Sequence, residues 1–327
     1  SKCGSDCLQM SHSYPEHSLN NLAINEISLN DKYHLENMQI LAQNIEIDRF
    51  LYNIMTKHSI VTGKYYREEI SALINAKSKI TARAIYYYIT SPDEIMSYDV
   101  CDELNNLGLD YNDIYLLDRF HSYKKKNLDP KYLDYLKLLN LVDDRFVLYI
   151  EALLSNEDFL NSKYVEMDLN LLLSVTDKDI FMDLFRVMSD ENSLNSDYHQ
   201  HDVFLISQTS DNEIRNLLTV LARSKASVNS INHEFDMKFV AKLDLKSIKK
   251  ERYSVIRYYL TNPLGINNEE HRKILERLSY NQEIDDIDPV SKYLDSLERG
   301  IDDSNYSVDR KDKNNALLKI RALFKRR

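Results

Sequence analysis

Glycine and proline are scarce in this 327-residue chain, which has five of each, and neither occurs between Pro130 and Pro263. An average chain has about 7% glycine and about 5% proline, and these residues supply most tight turns. A fold made of many short strands needs such turns, so the scarcity excludes that class. Tryptophan is absent as well, whereas tyrosine is abundant at 23 residues. The composition predicts a helical protein.

Long hydrophobic runs are also missing, because no stretch approaches the roughly 18 apolar residues of a membrane span and no basic-then-apolar signal peptide opens the chain. The three cysteines, Cys3, Cys7 and Cys101, are an odd number and poorly suited to the disulfide framework of a secreted domain. We therefore expect a protein with no transmembrane segment in a reducing compartment, the cytoplasm or the nucleus. Cys3 and Cys7 alone supply only half of a metal site, and a flexible leader before Met10 is the preferred interpretation.

Acidic residues outnumber basic ones by 52 to 42, which gives a formal net charge of −10. This balance argues against a protein that binds nucleic acid over its whole surface, although local basic patches remain compatible with it. The apolar fraction of 43% is enough for a hydrophobic core.

Helix starts are legible in several places. Ser91, Pro92 and Glu94 form a capping box, in which side chains satisfy backbone groups at the start of a helix. Four further pairs follow the same logic: Ser155 with Asp158, Thr176 with Asp179, Ser210 with Glu213 and Asn267 with Glu270. Apolar residues between them recur at spacings of three and four. The sequence predicts an all-α fold of stacked antiparallel helices, either α-solenoid-like or a multi-helix bundle.

One internal similarity matches residues 84–92 with residues 255–263, and in both segments a helix is followed by proline. This similarity suggests a duplication, or it reflects chance likeness of amphipathic helices. We recognise no repeat signature with a period of about 33 to 45 residues, so the sequence indicates no named helical-repeat family.

Composition divides the chain into five segments. They are a polar flexible N-terminal segment 1–30, the first half of a helical body 31–195, its second half 196–280, an acidic linker 281–309 and a basic amphipathic tail 310–327. The Asn-, Ser- and Asp-rich stretch 189–200 is the expected hinge between the two halves.

Metal-ligating residue types cluster at His199, His201 and Asp202. In an extended segment, alternating histidines point to one side and suit a metal-dependent enzyme, whereas solvated loop histidines are the simpler interpretation. The carboxylates from Glu283 to Asp288 form a second cluster, in an acid-rich stretch that favours a solvated linker. With no nucleophile elbow or glycine-rich phosphate loop, catalysis stays uncertain and less favoured, and we expect no cofactor.

Basic residues recur every four positions along a possible continuous helix. They are Lys238, Lys242, Lys246 and Lys250, joined by Lys249 and Arg257. A continuous helix would present a basic ridge to nucleic acid, whereas a helix start at Asp244 would break the ridge in two. Tyr86 to Tyr88 are either stacking surfaces for bases or the edge of a core.

The tail is the strongest candidate for partner binding, because basic and apolar residues alternate there at helical spacing. The residues are Leu317, Ile320, Arg321, Leu323, Phe324, Lys325 and Arg326. Such a helix either docks on a partner or packs back on its own body. The sequence as a whole predicts a non-catalytic helical scaffold or adaptor that mediates protein–protein interaction, with nucleic-acid binding and metal-dependent catalysis as alternatives.

Overall fold

The computed structural model describes residues 15–90, 117, 131–248, 250–267 and 269–279. All regular secondary structure in these residues is helical, and the helices pack against one another, which confirms the all-α prediction. None of these helices is both long and apolar enough to cross a membrane. The capping box at Ser91, the carboxylates of 283–288 and the basic tail 310–327 lie outside the described residues.

The chain divides into two compact units, residues 1–161 and 162–327. Unit 1 contains α1 (Pro15–Ile24), α2 (Glu26–Leu29), α3 (His34–Gln43), a 3₁₀ turn (Ile45–Ile47), α4 (Asp48–Met55), α5 (His58–Val61), α6 (Tyr66–Ile74), α7 (Lys79–Thr90), α8 (Tyr132–Leu139), α9 (Val147–Leu154) and α10 (Glu157–Leu160). Unit 2 contains α11 (Val165–Ser174), α12 (Lys178–Met188), α13 (Glu191–Leu194), α14 (His199–Gln208), α15 (Asn212–Arg223), α16 (Lys225–Val228), α17 (His233–Ala241), α18 (Lys250–Thr261), α19 (Pro263–Ile266) and α20 (His271–Ser279). The stretch 189–200, expected as a hinge, lies inside unit 2.

These helices form a structural repeat that the sequence analysis missed. Each repeat has a long helix A, a four-residue helix and a long helix B, as in α12–α14, α15–α17 and α18–α20 of unit 2. In both units, helix A packs against helix B of its own repeat and against helix A of a neighbouring repeat. Stacking repeats in this way lets each one bury an apolar face that it cannot bury alone.

The third repeat of unit 1 is assembled from helices that are far apart in sequence. α7 takes the place of helix A and α8 the place of helix B, because α7 packs against α4 and α8 packs against both α6 and α7. Residues 91–130 lie between them in the chain. Of the two similar segments, residues 84–90 and 255–261 form the C-terminal parts of two A helices, α7 and α18.

Helix caps differ from the sequence prediction by one residue in three places. The N-caps of α10, α12 and α15 are Asn156, Asp177 and Asp211, not Ser155, Thr176 and Ser210. A carboxylate or amide oxygen reaches the orphan N–H groups as well as a hydroxyl does, so in each of these three places two adjacent residues compete for the role. Asn267 follows α19, and α20 begins at His271.

Helices A form the most buried layer of the repeats. Every residue of α9 is buried, including Glu151, whose Oε1 accepts a 2.9 Å hydrogen bond from the Ser155 hydroxyl. Tyr87 and Tyr88 of α7 are buried too, so they belong to the core, whereas Tyr86 is half-buried at the edge of the core, where its ring stacks on Phe50 at 5.0 Å.

Candidate binding face of the B helices

A thirteen-residue segment recurs wherever a four-residue helix leads into a helix B. We number its positions 1 to 13 in the segments 25–37, 57–69, 156–168, 190–202, 224–236 and 262–274. Position 1 caps the short helix, because in four segments its side chain accepts a backbone N–H: Asn25, Asn156, Asp190 and Ser224. Position 6 is Asn in five segments: Asn30, Asn161, Asn195, Asn229 and Asn267. The start of helix B is therefore fixed at position 10.

Position 4 orients the ring at position 10. In three segments position 4 is a buried serine and position 10 a histidine, and the Ser Oγ lies 2.8–2.9 Å from the His Nδ1: Ser28 with His34, Ser193 with His199, and Ser227 with His233. In the last repeat, position 4 is Gly265, whose backbone carbonyl accepts a 2.8 Å hydrogen bond from His271 Nδ1. The other ring nitrogen, Nε2, is left to face the preceding repeat.

In unit 2, Nε2 of each buried histidine meets an aspartate at position 13 of the preceding repeat. The pairs are Asp168–His199 at 2.9 Å, Asp202–His233 at 2.8 Å and Asp236–His271 at 2.6 Å, with partners 31, 31 and 35 residues apart. We call these three pairs the His–Asp ladder. Both members of each pair are buried, so each pair replaces hydration that the groups lose on folding. The ladder holds consecutive B helices in one register.

Unit 1 uses other side chains at the same two positions. Asn37 Nδ2 donates to the Tyr66 hydroxyl at 2.7 Å, and the Tyr132 hydroxyl donates to Glu69 Oε1 at 2.7 Å. Burial raises the pKa of both tyrosines, and the nearby carboxylates Asp31 and Glu69 add to the shift. The phenols therefore stay protonated and available as hydrogen-bond partners.

The last pair of the ladder differs in the group that its histidine Nδ1 contacts, which is a backbone carbonyl and not a serine hydroxyl. The Gly265 carbonyl can only accept, so His271 Nδ1 carries a proton. Because 2.6 Å separates His271 Nε2 from Asp236 Oδ1, a second proton lies between them, on the ring or on the carboxyl. Burial raises the pKa of Asp236, while the hydrogen bond and charge of His271 oppose that shift. In the other two pairs, the serine hydroxyl can donate to Nδ1 of a neutral ring.

The register leaves one face of the B helices outside, and in α11 and α17 this face is apolar at positions 12 and 16. In α14 position 12 is His201, and in α20 the two positions are Lys273 and Arg277. Position 12 is Met167 in α11 and Phe235 in α17, and position 16 is Leu171, Leu205 and Phe239. Phe204 lies beside them at position 15 of α14. We call these six residues the helix-B face. Met167 is 52% exposed and Phe204 is 60% exposed, although both are large apolar side chains.

Neighbouring B helices meet along this face. Gln200 Nε2, in the first turn of α14, donates to Asp168 Oδ1 of α11 at 2.9 Å. Phe204 follows Gln200 by one helical turn, so Phe204 lies on the side of α14 from which Gln200 reaches α11. At the other end, Arg272 of α20 lies 5.0 Å from the ring of Phe235, which stacks on Phe239 at 5.9 Å. Residues of the helix-B face thus lie near the boundary of α11 with α14 and at the boundary of α17 with α20.

The predicted metal cluster has a different setting from the one expected. His199, His201 and Asp202 lie in the first turn of α14, not in an extended segment, and His199 and Asp202 are buried, not solvated. Both ring nitrogens of His199 face protein partners, Ser193 and Asp168. No group of three or more metal-ligating side chains comes together in the part of the chain that the structure describes.

The described residues do not form the continuous basic helix, and the break between the two helices is a turn at Asp244, not the helix start that the sequence suggested there. α17 ends at Ala241 and α18 begins at Lys250; between them, Asp244 Oδ1 accepts the backbone N–H of Lys246. Lys238 pairs with Glu234 on its own helix. Lys242 lies at the end of α17, Arg257 Nη2 donates to Asn216 Oδ1 at 3.2 Å, and Lys249 lies outside the described residues.

We compared the chain with protein-family models, curated proteins and solved structures, and none of them matches it. The functional argument therefore depends on the residues of the chain itself. Sequence reasoning missed the helix-B face, although Ser at position 4, Asn at position 6 and His at position 10 were readable as a recurring pattern.

Proposed function

We propose that this protein is a helical-repeat scaffold that binds a protein partner on the helix-B face of unit 2. The exposure of Phe204 and Met167 on neighbouring B helices that hydrogen bonds hold in register is the observation that carries this proposal. Large apolar side chains gathered on one face are typical of protein-interaction sites, because each costs free energy while it faces water.

The ladder supports this role because it makes the face rigid. His199, His233 and their aspartates are buried, and their polar atoms are engaged in joining one repeat to the next. A preorganised surface loses little conformational entropy on binding, which favours affinity. Repeat proteins present extended surfaces of this kind to their partners.

The test introduces a photo-crosslinking amino acid at Phe204, on the helix-B face, or at Ile231, which is 90% exposed but lies between α16 and α17. In the native cell we expect one protein to be captured from position 204 and not from position 231. Phe204→Asp should abolish co-purification of that protein, whereas Ile231→Asp should leave it unchanged. Equal capture from both positions, or binding that survives Phe204→Asp in a folded protein, would contradict the proposal.

A further inference from the structure

Positions 10 and 11 mark the side of helix B on which the preceding repeat packs. In five pairs of stacked repeats, position 10 hydrogen-bonds to position 13 of the preceding helix B. Position 11 lies beside it and contacts the same neighbour in three pairs: Gln200 reaches Asp168, Arg67 pairs with Glu36, and Arg272 Nε donates to Asn232 Oδ1 at 3.1 Å. A repeat that has no predecessor leaves these positions without that contact.

The first repeat, α1–α3, has no predecessor among the described residues. Position 10 of α3 is His34, whose Nδ1 lies 2.8 Å from Ser28 Oγ as in the ladder, and no described residue hydrogen-bonds to its Nε2. Position 11 is Leu35, which is 78% exposed. A ring nitrogen and a large apolar side chain thus lie open on this side of α3.

Position 14, one helical turn after position 10, also shows that this side is uncovered. In the six later B helices it is apolar and no more than 7% exposed: Ile70, Leu136, Leu169, Val203, Met237 and Leu275. In α3 it is Met38, which is only half-buried. We call His34, Leu35 and Met38 the outer edge. Terminal repeats need a polar outer side for solubility, so this apolar edge requires a covering segment.

The helices that cover the corresponding side of later repeats share a sequence pattern. Each has a polar residue at position 13 and apolar residues at positions 14 and 17. The sets are Asn37 with Met38 and Leu41, Glu69 with Ile70 and Leu73, Asp168 with Leu169 and Leu172, Asp202 with Val203 and Ile206, and Asp236 with Met237 and Val240. Where the two repeats follow each other directly in the chain, position 13 precedes its partner at position 10 by 29 to 35 residues.

The same pattern occurs ahead of the first repeat, in residues that lie outside the described part of the chain. Asp6, Cys7 and Met10 have the spacing of positions 13, 14 and 17, and Asp6 is the single carboxylate side chain in residues 1–14. Asp6 precedes His34 by 28 residues, one fewer than the separation of Asn37 from Tyr66. The segment therefore has both an acceptor for His34 and the separation along the chain that such pairs require.

We infer that residues 3–10 dock as one helix on the outer edge, where a preceding helix B packs in later repeats. The Asp6 carboxylate accepts a hydrogen bond from His34 Nε2–H, while the Ser28 hydroxyl donates to Nδ1 of the neutral ring. Met10 packs together with Met38. A helix of this length is unstable alone, so it forms only on the edge. The docked segment, and not the flexible leader that composition suggests, closes this end of the stack.

Hydrogen exchange followed by mass spectrometry tests the inference on the full chain. Backbone N–H groups of a docked helix exchange slowly, whereas those of a free leader exchange as in an unfolded peptide. We expect the peptic peptide of residues 1–14 to contain N–H groups that exchange at least about tenfold more slowly than those of a synthetic peptide of the same sequence.

Leu35→Asp places a second carboxylate beside Asp6 and should remove this protection. Because Leu35 is exposed, circular dichroism should show an unchanged fold. The matched control is Ile45→Asp, at an apolar side chain that is 56% exposed. The 3₁₀ turn of Ile45 packs against α4 and α7, towards the later repeats, so the protection of residues 1–14 should persist in this variant.

Variants of Asp6 test the hydrogen bond itself. Asp6→Ala removes the acceptor of His34 and should reduce the protection about tenfold, whereas Asp6→Asn keeps an acceptor oxygen and should retain most of it. Unslowed exchange of residues 1–14 in the wild type, or protection that survives both Leu35→Asp and Asp6→Ala, would overturn the inference. The inference goes beyond the proposed function and does not involve Phe204, so either can fail while the other stands.

Discussion

Nε2 of His233 lies 2.8 Å from Oδ2 of Asp202, and neither side chain is accessible to solvent. The two residues belong to the B helices of consecutive repeats, α17 and α14. A carboxylate oxygen accepts, so the ring Nε2–H donates, and this hydrogen bond links the two repeats inside their packed interface.

We expect Asp202→Ala to lower the free energy of unfolding of unit 2 by about 3 kcal/mol, because it leaves the buried Nε2–H of His233 without an acceptor. Denaturant unfolding followed by circular dichroism measures the change. The control is Asp197→Ala, at a side chain that is 96% exposed and 3.4 Å from Lys163, where we expect less than about 0.5 kcal/mol. Similar losses in both variants would show that the ladder does not stabilise the repeat.

Asp236→Asn tests the protonation of the last pair. The raised pKa of Asp236 means that the folded state holds a proton more tightly than the unfolded state. The stabilisation that this proton gives the folded state is therefore complete below the ordinary carboxyl pKa, and it is lost as the pH rises through the pKa of Asp236 in the folded protein. An asparagine N–H can donate to His271 Nε2 at every pH.

The free energy of unfolding of the wild type should accordingly fall relative to Asp236→Asn as pH rises above about 4. His233 and Arg272 also face Asp236 and lower its pKa. Their effect narrows the pH interval between the unfolded and folded pKa of Asp236, over which the free energy of unfolding changes. Exposed Asp244→Asn serves as the control. A difference between wild type and Asp236→Asn that stays constant with pH would contradict this assignment.

The caps offer a direct contrast between two adjacent residues. Asp211 accepts the backbone N–H groups of Glu213 and Ile214 at the start of α15, so Asp211→Ala should cost about 1 kcal/mol. Ser210, which the sequence pattern favoured, is exposed, and Ser210→Ala should leave the denaturation midpoint unchanged. A larger loss of stability in Ser210→Ala than in Asp211→Ala would identify Ser210 as the cap.

A buried ion pair joins two A helices in unit 2. Arg215 Nε donates to Asp183 Oδ2 at 2.7 Å, and both side chains are less than a tenth exposed. Arg215→Ala should cost about 3 kcal/mol, since it removes this partner of a buried carboxylate. Arg186 contacts the same carboxylate but is 40% exposed, so Arg186→Ala should cost less than about 1 kcal/mol. Equal midpoint shifts in thermal unfolding would show that burial does not distinguish the two pairs.

Helices and their starting points were predictable from the sequence, because residues within a short segment determine them. The scarcity of glycine and proline and the apolar spacing predicted helices, because helix formation depends on residues three and four positions apart. Helix starts at α10, α12 and α15 were predicted to within one residue. The choice between Thr176 and Asp177 was not, because both can cap and the geometry of the preceding turn decides between them.

The site was not predictable in the same way. His199 was noticed for its neighbours His201 and Asp202, yet its partners are Ser193 and Asp168, and Asp202 instead binds His233. A pair that is 31 residues apart in sequence becomes a contact only when two repeats stack. Periodicity within one helix carries no information about that distance.

By itself, the sequence determined that the described chain is helical, because helix formation depends on side chains within one or two turns. Tertiary structure decided which helices became neighbours, and so turned His199, Asp202 and His233 from candidate ligands into internal contacts. It also decided which apolar residues remained outside. Met167 and Phe204 are large apolar residues of the kind that usually fill a core. Stacking of the repeats buries the opposite side of their helices, so these two side chains stay exposed on the helix-B face.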